Sequence, residues 1–261
     1  MSKIAIAIPC YNEARRLRGD AILSLLDDPR VHVMFVDDGS TDDTRAILTA
    51  LQQRAPERIE VLPLPGNRGK AEAVRRGLLR GLDIGAAVVG YLDADLSTPP
   101  AELLRLVREL DTAEAQVALG SRIAMLGARI ERRAARHYAG RVFATLASIV
   151  LRAPVYDTQC GAKVFRGDDC LRAALQDPFH SRWAFDVELL GRLMTLNEAR
   201  GLGRTQSFVE VPLRSWTETS GSSLRLPGML RAGAELLAVP GHLRAFRNRH
   251  AAALTAAGRR R

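Results

Sequence analysis

Two aspartates one residue apart, Asp93 and Asp95, close an apolar run and stand just before Ser97-Thr98-Pro99-Pro100. Side chains alternate along an extended backbone, so both carboxylates point the same way. Sharing one divalent cation would relieve their repulsion. Carboxylate oxygen is the donor that magnesium and manganese take, and such ions often bridge a protein acid to a substrate phosphate. On this reading Asp93 and Asp95 hold Mg2+ or Mn2+ and, through it, a diphosphate. A second acidic pair, Asp37-Asp38, ends another apolar run. One of these carboxylates can accept hydrogen bonds from a base or ribose, as acids do in other nucleotide-binding α/β sheets. A polar turn with Gly39 and Ser40 accounts easily for one of the two acids and less well for both.

The surrounding pattern predicts the elements that carry these acids. Ile4 to Ile8 and Val31 to Val36 read as strands, joined by a helix from about Glu13 to Leu26 with Leu17, Ile22, Leu25 and Leu26 toward the core. Ser40 or Thr41 is expected to cap a helix reaching about Arg54, and Ile59 to Leu62 reads as a third strand. The Gly66-Asn67-Arg68-Gly69-Lys70 loop opens a helix to about Leu82, and Ala86 to Leu92 is the fourth strand. Thr98 is expected to cap the next helix, with Pro99 and Pro100 in its first turn. Asp93 and Asp95 thus fall at a strand's C-terminal edge, where open α/β sheets bind ligands.

After a strand at Gln116 to Gly120 the rhythm changes. Arg129 to Arg152 is predicted helical, with Arg129, Arg133 and Arg136 as a basic stripe and Phe143, Leu146, Ala147, Val150 and Leu151 as an apolar one. Ala162 to Phe165 and Ser207 to Leu213 read as strands, with a helix from Asp186 to Glu198 between them. Pro227 and Pro240 are expected to bound a helical piece of the tail, and Trp183 and Trp216 are assigned to the core. The fold class is α/β, a mostly parallel Rossmann-like sheet with helices on both faces.

Composition narrows the function. The chain has 261 residues and a formal net charge of +9, almost all of it from arginine, since Lys3, Lys70 and Lys163 are the lysines. Arginine grips phosphates bidentately, which suits an anionic partner. Nucleic acid is not expected: aromatics are sparse at 5%, with no zinc-finger or helix-turn-helix signature. Cys10, Cys160 and Cys170 make no even framework and no Cys-x-x-Cys pair, so neither disulfides nor zinc is expected. The N-terminus does not resemble a secretory signal, and the apolar run from Val142 to Leu151 is short of the ~20 residues that span a bilayer. A cytoplasmic chain is expected, associated with the cytoplasmic membrane face. Pro9-Cys10-Tyr11-Asn12-Glu13 replaces the Gly-rich turn of a dinucleotide site, Gly66 to Lys70 lacks P-loop spacing, and a G-x-S-x-G elbow is missing.

Several stretches taken together resemble the inverting family 2 glycosyltransferases of the GT-A fold: IPCYNEARRL, VDDGSTDDT, GNRGKAEAVRRGL, YLDADLSTPP and GSR, in that order. DTQCGAKVF, RWAFDVELL and WTETSGSSL are similar to the dolichyl-phosphate β-glucosyltransferases and related polyprenyl-phosphate glycosyltransferases. The resemblance implies a GT-A domain over residues 1–225 followed by a basic helical tail over 226–261. It implies that Pro9, Tyr11 and Glu13 line the base pocket, that Asp38 reaches base or ribose, and that Asp93, Ala94 and Asp95 hold ribose, metal and diphosphate, with Lys70 assisting. Asp95, Arg122 and Asp186 form the implied catalytic set, with Arg122 near the phosphates and Asp186 near the acceptor. Where relatives read Gly-Ser-Lys-Leu, this chain has Gly221-Ser222-Ser223-Leu224, and Arg225 is the expected substitute. The implied reaction moves a sugar, glucose by resemblance, from a nucleotide diphosphate sugar such as UDP-glucose to a polyprenyl phosphate. Arg129 and Arg133 would meet the acceptor phosphate, with the apolar half of the same Arg129 to Arg152 helix at the membrane surface. Three alternatives stay open: transfer to a soluble hydroxyl with Asp186 as base, a sugar-phosphate nucleotidyltransferase, and a non-catalytic nucleotide-sugar-binding module. The nucleotidyltransferase would normally carry a Gly-rich, Arg-containing loop after strand one, which is absent here.

Overall fold

A computed structural model of the chain describes residues 2–131, 134–218 and 226–258. Arg133, Arg225 and the Gly221-Ser222-Ser223-Leu224 stretch lie outside the described residues. The strands described are β1 (Ile4–Cys10), β2 (Val31–Asp37), β3 (Ile59–Pro63), β4 (Val88–Leu92), β5 (Val117–Ser121), β6 (Arg129–Glu131), β7 (Ala162–Arg166), β8 (Phe208–Pro212) and β9 (Ser215–Thr217). The α-helices are α1 (Gly19–Leu23), α2 (Thr44–Arg54), α3 (Lys70–Asp83), α4 (Pro100–Thr112), α5 (Ala134–Leu151), α6 (Asp169–Gln176), α7 (Phe185–Ala199) and α8 (Leu226–Gly258).

Seven strands form one sheet in the order β3-β2-β1-β4-β7-β5-β8. All pairings are parallel except those of β7, which runs antiparallel between β4 and β5. The central strands are apolar at nearly every position, as strands covered on both faces must be. Parity then sorts their side chains. Ile4, Ile6, Ile8, Val33 and Phe35 join a core with residues of α1, α2 and α4, whereas Ala5, Ala7, Met34 and Val89 join one with residues of α3, α5, α6, α7 and α8. Small residues bring α3 down onto β1. A Cβ on Gly77 would collide with Ala7, and one on Gly81 would lie 2.9 Å from the Ala5 Cβ. That close approach carries Lys70, the first residue of α3, to the tips of the parallel strands.

Several expected elements differ. The helix from Glu13 to Leu26 is instead one turn closed on the Glu13 carbonyl, then the short α1 and a 3-10 turn at Ser24–Asp27. Gly19 sits against the side chain of Leu51, and the short pieces suffice to bury Ile22 and Leu25. Neither Ser40 nor Thr41 caps α2, which begins after Asp43, and Pro99 rather than Thr98 occupies the cap position of α4. Arg129 is not helical. Its amide donates to the Arg214 carbonyl at 2.7 Å and β6 pairs with β9, turning Ile130 toward the core, so the predicted basic stripe is divided. On α5, Ala144, Ala147 and Leu151 are buried but Leu146 faces outward. Pro240 lies inside α8 rather than bounding it. Its ring is exposed, while Leu236, Val239, Leu243 and Phe246 on the opposite side are buried in the same core as α7. The α6 helix was not anticipated, although Asp168 caps it by accepting the Leu171 amide at 2.8 Å. Trp216 is buried as expected, but Trp183 is 45% exposed.

Candidate active site

The register brings the strand ends together. Cys10 pairs with Asp37, and Ala7 with Tyr91, so residues following β1, β2 and β4 form one rim. Antiparallel β7 adds Gly161 beside Asp93, whose amide donates to the Gly161 carbonyl at 2.9 Å. A Cβ on Gly161 would collide with the Asp93 carboxylate, so the absence of a side chain there makes the space this acid occupies.

The base-pocket candidates line this rim. Pro9, next to last in β1, is half-buried, Tyr11 is 41% exposed, and Glu13 is buried, pairing with Arg16 while its amide donates to the Thr44 hydroxyl at 2.7 Å. The two acids after β2 have separate work. Asp37 accepts the Ser40 amide at 2.9 Å and Arg45 Nε at 2.8 Å. Burial pushes its carboxyl up, but those donors outweigh it and hold it below the usual carboxylate range. Asp38 accepts the amides of Arg68 and Gly69, both at 2.7 Å, and so ties the loop that presents Lys70.

Lys70 Nζ lies 2.6 Å from Asp93 Oδ1 and 2.7 Å from Oδ2. Burial works against the ammonium, but Asp93, Asp186 and Asp95 all raise its pKa, which puts the three acids within electrostatic reach of one amine. Asp93 is held above the ordinary carboxylate value, first by burial and then, against Lys70, by the charges of Asp95 and Asp186. Ala94 is buried between its two neighbours, and Asp95 accepts the Ser97 amide at 3.0 Å. Asp93 and Asp95 beside the ammonium of Lys70, with Asp186 in electrostatic reach, leave a surplus of carboxylate that fits a divalent cation, which would lower the energy of the ionised acids.

Arg122 and Asp186 are each engaged by protein partners. Asp157 takes Arg122 bidentately, at 2.6 Å from Nε and 2.8 Å from Nη2, and the guanidinium lies 5.4 Å from the Trp216 ring centre. Burial opposes the charge on Arg122, yet Asp157 raises its pKa on balance. Asp186, in the first turn of α7, accepts from the Tyr91 hydroxyl and lies 3.0 Å from Lys163 Nζ. Lys163 also donates to Tyr91 Oη at 2.8 Å and to the Cys160 carbonyl at 2.7 Å. Burial and the Asp186 charge push the Tyr91 phenol well above its usual value. Arg129 stands apart, exposed on β6 and 3.2 Å from Glu131.

Sequence reasoning gave no role to Asp157, Gly161 or Lys163. The signal available was Lys163 itself, a charge inside the otherwise apolar Ala-Lys-Val-Phe run. Where the turn before α7, α7 and α8 meet, His180, Glu188 and His242 place ligand-capable atoms within 4.8 Å of one another. Glu188 already accepts the Ser181 amide at 3.0 Å and Arg192 Nη2 at 2.6 Å, and His242 of α8 stacks on His180 with ring centres 4.5 Å apart, so this cluster helps to seat α8 against the turn before α7.

The sheet order, the reversed β7 and the acid-lined strand tips define a GT-A glycosyltransferase. A solved structure of glucosyl-3-phosphoglycerate synthase from Mycobacterium tuberculosis, in complex with Mn2+ and UDP-glucose, superimposes with a TM-score of 0.66 at 23% identity, covering 92% of this chain and 79% of that one. The description of Glycosyl transferase family 2 matches residues 5–190, and the chain belongs to that family. Among its relatives is a dolichyl-phosphate beta-glucosyltransferase of Saccharomyces cerevisiae, 31% identical over 248 residues, or 85% of this chain and 69% of that protein. The Homo sapiens protein of the same name is 31% identical, covering 90% and 74%. A polyprenol monophosphomannose synthase of Mycolicibacterium smegmatis is 29% identical, covering 84% and 82%.

Proposed function

We propose that this family 2 glycosyltransferase moves a hexose, glucose by similarity, from UDP-glucose to a polyprenyl phosphate at a membrane surface. The observation that carries the lipid acceptor is an outward apolar stripe on α5: Tyr138 is 71% exposed, Val142 63%, Leu146 38% and Ile149 66%. These positions follow one helical face, and an exposed apolar stripe of that length suits an interface with lipid. The stripe is tied to the site, because Arg141 donates to the Tyr156 carbonyl at 3.0 Å, next to the Asp157 that holds Arg122. No helix among the described residues is long and apolar enough to cross a membrane.

Pro9, Tyr11 and Glu13 would line the base, with Asp38 toward base or ribose. Asp93 and Asp95 would hold Mg2+ or Mn2+, an ion that offsets the charge of the departing diphosphate. Lys70 would add an ammonium beside the diphosphate, and Arg122, kept charged by Asp157, would favour negative charge building up nearby. An acceptor phosphate is ionised at neutral pH, so its oxygen attacks the anomeric carbon without a strong base. The bond from that carbon to the diphosphate oxygen breaks, UDP leaves with the electron pair, and the centre inverts. Asp186, shared with Tyr91 and Lys163, would fix the acceptor side of the pocket.

Incubation with manganese, radiolabelled UDP-glucose or GDP-mannose, and polyprenyl phosphate should carry label into the organic phase from UDP-glucose. Label that stays aqueous with every donor would reject the lipid acceptor. Asp95→Ala should reduce turnover at least a hundredfold, and retention of turnover in that variant would reject the metal site.

A further inference from the structure

Arg182 lies on the turn entering α7, within the Arg-Trp-Ala-Phe-Asp stretch that ends at Asp186. Carboxylates tie the turn on both sides of it. Glu188 accepts the amides of His180 and Ser181, each at 3.0 Å. Glu235 of α8 accepts those of Trp183 at 2.7 Å and Ala184 at 3.4 Å. The backbone around Arg182 is therefore fixed, and its amides are already used.

The side chain is exposed and has no hydrogen bond or ion pair with any described residue. Its guanidinium rests against Gly69: a Cβ there would fall 3.1 Å from Nη2 and 3.3 Å from Nε. Gly69 adopts φ +92°, in the region that favours glycine, and immediately precedes the Lys70 that holds Asp93. Several other cations around the crevice have acidic partners: Lys70 has Asp93, Arg122 has Asp157, Arg45 has Asp37 and Arg16 has Glu13. A planar guanidinium on a rigid turn, with no carboxylate to displace, is suited to bind an oxyanion through paired N–H donors.

We propose that Arg182 binds a phosphate group of a substrate, a role that rests on reading the crevice as the nucleotide-sugar site. The group is either the donor's diphosphate or the acceptor's phosphomonoester, and two measurements separate them. Calorimetry with UDP and Mn2+ reads the donor side without turnover. The KM for polyprenyl phosphate, with UDP-glucose saturating, reads the acceptor side. Arg182→Gln should weaken one of the two at least tenfold while Tm stays at the wild-type value, and Arg182→Lys should recover part of the loss. A loss in UDP affinity assigns the residue to the donor, and a loss confined to the acceptor KM assigns it to the acceptor. Arg182→Ala serves the same purpose should the glutamine variant fold poorly. Both values within twofold of wild type in a folded variant would overturn the proposal alone. Failure of the wild-type protein to bind UDP would remove the site reading and this proposal with it. UDP binding without lipid transfer would reject the acceptor and leave the calorimetric measurement to decide on Arg182.

Discussion

At the scale of single residues, the pair Arg122 and Asp157 shows how a charge is kept in a mostly buried position. Burial pushes the Asp157 carboxyl up, but Arg122 outweighs it, so the folded pKa lies below the unfolded one. The stabilisation is thus fully present above the unfolded carboxylate value of about 3.9 and is lost as pH falls through the lower folded value. Asp157→Asn leaves the guanidinium without its counter-charge and should destabilise the protein by about 3–5 kcal/mol. Urea unfolding at pH 7 measures this, and a loss under about 1 kcal/mol would show that water replaces the carboxylate. Asp93 and Asp95 were legible in the sequence because a strand end and a one-residue spacing suffice to define their shared direction. The Asp157 partnership was not, since the pair is separated by 35 positions and only the packing of the chain joins them. Arg182 was hidden for a related reason: what distinguishes it is a missing partner, which a sequence does not display.

Among the elements, those with an unbroken apolar run or a full amphipathic period were readable, namely β1, β2, β4, α3 and α4. The failures were short. The β6 and β9 strands span Arg129–Glu131 and Ser215–Thr217, too little for a period, and each forms because the other is present. The Glu13 to Leu26 segment had the apolar spacing of a helix, but burial of Ile22 and Leu25 is met by a few turns and nothing demands more. Glu235 links elements that no local pattern connects. It holds two amides at the start of α7 from the middle of α8. Glu235→Gln replaces a charged acceptor with a neutral one and should cost about 1–2 kcal/mol. If the turn positions Arg182 as proposed, the same variant should also weaken whichever phosphate Arg182 holds. An unchanged Tm would mean that these amides are solvated well enough without the carboxylate.

For the molecule as a whole, the membrane contact proposed above carries a lipid preference: with a net charge of +9 beside the exposed stripe on α5, an anionic surface should be bound in preference to a neutral one. Vesicle flotation at low salt should recover the protein with anionic vesicles. Replacing Val142 and Ile149 together by glutamate should abolish recovery without moving Tm, because neither side chain contributes to the core. Flotation that survives this change would place the lipid contact elsewhere. The α8 helix has one further consequence. Leu236, Val239, Leu243 and Phe246 complete the core on α7, and Glu235 fixes the entrance of that helix, yet all five follow every strand of the sheet. During translation the apolar face of α7 therefore stays uncovered until this stretch has cleared the ribosome, and a chain stalled before it would display apolar surface of the kind that chaperones recognise.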